Sequence, residues 1–109
     1  MGGDDAYLIQ SDSTNRSVLY YNTAFPSDVL NSLTIDATGS GTITLNIGAG
    51  GYSHYLGSVF ESIGNYGTGS LLQSAGTNTT NYFCLGQTYS GNGTYNLSDT
   101  GQLTAQTEY

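Results

Sequence analysis

The clearest pattern in the chain runs from Leu33 to Ile47. Apolar residues fall at Leu33, Ile35 and Ala37, then at Ile43, Leu45 and Ile47, with Thr, Asp or Asn between them. Period-two alternation puts the apolar set on one face of a strand and the polar set on the other. With Gly39-Ser40-Gly41 between the halves, the stretch reads as a β-hairpin with one buried and one wet face. Its wet face is Thr34, Asp36, Thr38, Thr42, Thr44 and Asn46, with no Lys or Arg to discourage edge-to-edge pairing.

The same reading extends along the chain. Residues 7–10, 16–23, 52–63, 71–72, 80–89, 94–97 and 102–109 have strand character, separated by Gly-, Ser-, Asn- and Asp-rich clusters. In 52–63 the core candidates are Tyr55, Leu56, Val59, Phe60 and Ile63, and Gly57-Ser58 marks a bulge or bend. Ser90-Gly91-Asn92-Gly93 reads as a second hairpin turn, because Asn and Gly tolerate positive φ. Pro26 and Asp28 could open a helix at 25–30, though at that length a single turn or a loop is expected. No internal repeat of fixed period is visible. Some eight or nine short strands, with turn signals about every 8–12 residues, give the expected fold: all-β, a single antiparallel β-sandwich, jelly-roll-like. Residues 1–6 are expected to be a flexible or partner-bound arm and 7–109 the sandwich domain.

Composition narrows the function classes. Leu, Ile, Val and Phe make up about a fifth of the 109 residues, and ten Tyr supply the remaining bulk. One Arg, no Lys and eight acids leave a net charge of -7. Such a chain cannot neutralise phosphates, so nucleic acid is excluded as a partner, and anionic membranes are unfavoured for the same reason. No stretch of 18 apolar residues exists to insert into a bilayer. Residues 1–10 have neither a basic region nor an apolar segment and do not read as a signal peptide. One Cys rules out an internal disulfide framework. A surface carried by Thr, Ser, Asn, Gln and Gly suits an exterior where pH or salt varies, such as a hot or acidic extracellular setting, or a face that packs on copies of itself.

Candidate chemistry is thin. His54 has no nucleophile-and-acid context and reads as a surface or interface residue. Cys84, between Phe83 and Leu85, reads as buried and inert, because no cation is near to stabilise a thiolate. The acids are scattered; Asp4-Asp5 and Asp12-Ser13-Thr14-Asn15 offer hard oxygens but not the spacing of a calcium loop. Asp36 points outward by alternation, and only Glu61 has an apolar neighbourhood, so no carboxylate pair for glycoside hydrolysis stands out. The absence of Lys removes Schiff-base chemistry. No catalytic, metal or cofactor site is expected, and the chain reads as non-enzymatic.

Two signals remain. Asn-X-Ser/Thr sequences at Asn15, Asn78, Asn92 and Asn96 lie at or beside predicted turns, making them candidate N-glycosylation sites. The tyrosines exceed what one small core holds, so some are expected at interfaces or stacked on sugars. Candidate interface residues are Tyr7, Leu8 and Ile9 near the start and Leu103, Ala105 and Tyr109 near the end, where a segment could add as a strand to a neighbour's sheet. The composition resembles that of extracellular pilin and thread subunits of archaea, without the apolar N-terminal helix of pilins. The expectation is therefore a self-assembling subunit of a surface filament, a homopolymer built by strand exchange, on a cell or virion surface or otherwise extracellular. The alternatives are a virion capsid or spike protein, and a carbohydrate-binding adhesin module whose partners are glycans.

Overall fold

The computed structural model describes residues 4–20, 30–48 and 54–108. These form nine strands and no helix: β1 Asp5–Gln10, β2 Arg16–Tyr20, β3 Leu30–Ala37, β4 Ile43–Ile47, β5 Tyr55–Ile63, β6 Thr68–Gln73, β7 Thr77–Leu85, β8 Asn92–Leu97 and β9 Gln102–Glu108. The fold is all-β, as the alternation predicts. The helix start considered at 25–30 lies outside the described residues, except for Leu30, which opens β3. Asp5 and Ala6, assigned to the arm from sequence, belong to β1.

The pairing departs from expectation. The odd strands lie in the order β1-β3-β5-β7-β9, every contact parallel. The even strands form a second parallel row, β2-β4-β6-β8. Among the described residues a single antiparallel bridge, Ala37 to Thr68, joins the rows. The chain thus winds from an odd strand through a corner to an even strand, then on to the next odd strand one layer up. This is a β-solenoid-like coil, not an antiparallel jelly-roll sandwich.

Leu33 to Ile47 shows why. All six predicted inner residues are buried, from Ile35 and Ile47 at 0% exposure to Ile43 at 4%. Yet β3 and β4 do not pair with each other; each pairs with the strands of the coils before and after it. A hairpin turn would close hydrogen bonds across itself. Here the corner bonds to the corner of the preceding coil instead: Thr38 N donates to Gln10 O (2.9 Å) and Gly41 N to Asp12 O (3.0 Å). Ser90-Gly91 is likewise a corner and not a hairpin turn, with Asn92 N donating to Gly67 O one coil below (2.8 Å).

Glycine makes the corners possible where layers touch. Gly64 has φ 77° and Gly76 φ 81°, conformations that side-chain-bearing residues rarely adopt. A Cβ on Gly64 would overlap Asn92 O, and one on Gly76 would overlap His54 O. The coils differ in length: Ser32 meets Phe60, 28 positions on, whereas Tyr55 meets Thr77, 22 on. That variation hides the repeat from any search at fixed period.

One bend is stacked through the odd row. The ladders pass from Leu30–Ser58 to Ser32–Phe60, from Ser58–Thr80 to Phe60–Tyr82, and from Thr80–Ala105 to Tyr82–Thr107, leaving the rung at Asn31, Val59, Asn81 and Gln106 unpaired. The inward set therefore shifts phase. Leu56 and Ser58 are buried before the bend, and Glu61 and Ile63 after it. This bulge lies one residue beyond the Gly57-Ser58 site. It turns Phe60 outward, 51% exposed, correcting its placement in the core.

Candidate functional site

Among the described residues a cluster of buried polar side chains lies between β5, β6, β7 and β8. Register puts Glu61 level with Leu33 in the coil below and Phe83 in the coil above, so a carboxyl occupies an apolar column. Its Oε1 accepts from Asn78 Nδ2 (2.7 Å) and its Oε2 from Ser58 Oγ (3.3 Å). Asn78 Nδ2 also donates to the Tyr95 hydroxyl (3.0 Å), which donates in turn to Gln73 Oε1. Gln73 Nε2 donates to the carbonyls of Gly76 (2.9 Å) and Gln102 (3.0 Å). Burial pushes the Glu61 carboxyl up to about 7, against the opposing pull of Asn78 and Ser58. Burial raises the Tyr95 hydroxyl as well. Asn78 Oδ1 is the one buried side-chain polar atom among the described residues without a partner. The cluster is sealed from solvent: Glu61 is 1% exposed and Ser58, whose hydroxyl is bonded to it, is 3% exposed.

Above this cluster, the outer face of β3, β5 and β7 carries a groove of about 540 Å³ lined by Ser32, Thr34, Phe60, Ser62, Tyr82 and Cys84, among others. Phe60 and Tyr82 are rung partners whose rings stack at 4.8 Å between centroids. Ser62 Oγ donates to Gln87 Oε1 at the groove margin (2.8 Å). Cys84 lines the groove half-buried as a free thiol, which corrects the expectation of a buried residue.

Other expectations also change. His54 is 1% exposed, so it is an interior residue. Asp36, expected to face out, is 5% exposed. It folds over the corner of the next coil and accepts from the backbone N–H groups of Asn65 (2.9 Å), Tyr66 (3.2 Å) and Gly67 (2.8 Å). Asn15, Asn92 and Asn96 are exposed. Asn78 is completely buried with its amide nitrogen spent on Glu61 and Tyr95, so the folded chain leaves no room for a glycan there. Asp12 is gripped by Arg16 through both oxygens (2.7 and 2.9 Å), which holds its carboxyl down at about 2. Asp5 accepts from Asn31 Nδ2 and Ser32 Oγ (2.8 Å each). Among the described residues no group of three or more His, Cys, Asp or Glu comes together to hold a metal ion.

The candidate interface residues fall at opposite ends of the coil. Tyr7, Leu8 and Ile9 lie on β1, which among the described residues pairs only with β3; Leu103 and Ala105 lie on β9, which among them pairs only with β7. Tyr109 lies outside the described residues. Tyr7 and Ile9 are each 62% exposed, while Leu8, Leu103 and Ala105 are half-buried against the core. The even row is open in the same way, at β2 on one end and β8 on the other. Alternation does not mark those two edges, because Val18-Leu19-Tyr20-Tyr21 is a continuous apolar run with no polar face. Val18 and Leu19 are in fact exposed.

No family model, curated protein or solved structure matches this chain.

Proposed function

We propose that this chain is a non-enzymatic structural subunit that polymerises end to end outside a cell or on a virion surface. One observation carries the reading: among the described residues, both rows of parallel strands end in unpaired edges at both ends of the coil. Unpaired strand edges recruit further strands unless Lys, Pro or a covering element blocks them. β1, β2, β8 and β9 contain neither Lys nor Pro, and the single Arg of the chain is tied to Asp12. The two ends are different surfaces, so their contact is heterologous and propagates instead of closing on itself as a dimer does. Edge addition needs no strand to leave its own sheet, and it supplies the homopolymer without an exchanged segment. The surface, rich in Thr, Ser, Asn and Gln, supports the extracellular setting.

Negative-stain microscopy and velocity sedimentation across concentration test the reading. Polymers are expected, more abundant at high salt, because screening relieves repulsion between copies of charge -7. A species that stays monomeric up to its solubility limit overturns it. The Phe60–Tyr82 groove, with the stacked rings beside Ser32, Thr34 and Ser62, supports a carbohydrate-binding adhesin as the second reading, and a glycan array separates the two.

A further inference from the structure

The two ends of the coil are unequal in a way that fixes how copies meet. The odd row has five strands and the even row four, so simple stacking of β1 on β9 would leave the even row one strand short. Register resolves the mismatch. β9 covers the first part of the rung ladder, Gln102 on Thr77 through Glu108 on Phe83, and among the described residues no strand pairs with Cys84 and Leu85 of β7 on that side. β1 covers only the later part. Through successive partners, Asp5 stands level with Ser32, Phe60 and Tyr82; Tyr7 with Thr34, Ser62 and Cys84; Leu8 with Ile35, Ile63 and Leu85. In the even row, β2 and β8 occupy the same levels: Val18 with Leu45, Leu71 and Tyr95, and Tyr20 with Ile47, Gln73 and Leu97.

From this we infer that the ends are complementary half-coils, and that β9 of one copy and β1 of the next share a single layer above β7. The inference rests on the end-to-end reading and specifies its contact. β2 of the incoming copy pairs in parallel with β8, setting Val18 beside Tyr95 and Tyr20 beside Leu97. Its β1 lies on the uncovered end of β7, setting Tyr7 beside Cys84 and Leu8 beside Leu85. Leu85 and Leu97, exposed at 37% and 46%, and Val18 at 38% are thereby covered. Among the paired residues described, two rungs are claimed twice, by Thr107 and Glu108 of one copy and Asp5 and Ala6 of the next, and Asp4, which accepts from Asn31 N (2.7 Å), meets the bend beside them. Asp5 is anchored by Asn31 and Ser32, whereas Thr107 and Glu108 are exposed at the outer edge, so the β9 tail gives way. Each copy then adds four layers, an axial repeat of about 19 Å at the ~4.8 Å spacing of neighbouring strands.

The native Cys84 provides the test. Within one copy Tyr7 and Cys84 are separated by β3 and β5, about 14 Å at that strand spacing, beyond the reach of a disulfide. Across the inferred contact they are neighbouring rung partners, within its reach. Tyr7→Cys and, as control, Ile9→Cys both alter exposed residues, and circular dichroism checks that each folds. Mild oxidation of assembled Tyr7→Cys should give a ladder of covalent oligomers, with roughly tenfold less from Ile9→Cys, whose position lies past the end of β7 and out of bonding geometry. Polymers that form but give no Tyr7→Cys ladder, or equal ladders from both variants, overturn this contact and leave end-to-end assembly standing. Absence of polymers in the wild-type chain overturns both.

Discussion

Two parts of one interior are filled with opposite chemistry. Leu8, Ile35 and Ile63 stack in one inward column and Val18, Leu45 and Leu71 in another, continuously apolar through successive coils. Further along, Leu33 gives way to Glu61, Ile47 to Gln73 and Leu56 to Asn78 at equivalent levels. The apolar columns supply most of the buried area, but Ile and Leu stack nearly as well if a strand slips by two residues or pairs with the wrong coil. The polar columns do not. Glu61, Asn78, Tyr95 and Gln73 close their bonds only when β5, β6, β7 and β8 stand in this one order and register, and a slip would strand buried polar groups. The contrast teaches that stability and specification are divided between the two halves of the core.

The largest expected effect breaks the apolar side. Ile35→Ala removes a side chain at 0% exposure and should cost about 4 kcal/mol, equally at pH 5 and pH 8, as read by urea denaturation. A loss that changed with pH would show that the two columns are not separate. The next effect sharpens the polar side. The Glu61 carboxyl is raised from 4.5 to about 7 in the folded chain, so the folded state binds its proton more tightly than the unfolded one. The stability this contributes is complete below about pH 4.5 and is lost as pH rises through 7, amounting to about 3 kcal/mol by pH 8. Glu61→Gln keeps the shape and removes the titration. It should match the wild type near pH 4, exceed it at pH 8 and flatten the slope between. An unchanged slope would locate the titrating group elsewhere. The smallest of the three is Asn78→Ala, which removes the donor shared by Glu61 and Tyr95 and should cost about 2 kcal/mol. The cost should be greater above pH 7, where the abandoned Glu61 is charged. Equal losses on both sides of pH 7 would mean that Asn78 acts by packing alone.

Much of the fold was legible before any pairing was known. Period two located nearly every strand and predicted all six buried residues of Leu33 to Ile47, because sidedness is a property of a strand by itself. Partner choice is not. A hairpin and two adjacent coils of a solenoid bury the same inward set, and Gly-Ser-Gly serves a turn or a corner equally. The same limit explains Phe60, which alternation could place in the core only if no bend shifted the phase at Val59. It explains Asp36 too, whose three backbone donors come from a corner about thirty residues away along the chain. Of the outer strands, β1 and β9 were legible as short strand segments near the ends of the chain; that β2 and β8 are also outer strands was not, since nothing in Val18-Leu19-Tyr20 says which neighbour is missing.

Residue type and spacing alone establish a β-protein with one wet and one dry side to its strands, with one Arg and no Lys against eight acids, and with a single acid, Glu61, set among apolar residues. Those properties depend on residue type and spacing along the chain. The folded pairing alone establishes that the strands run parallel in two rows, that Glu61 sits sealed with Asn78 and Tyr95, and that β1 and β9 cover different parts of the rung ladder. Those depend on which backbone edges meet, and hydrogen bonds between distant strands leave no mark in local alternation.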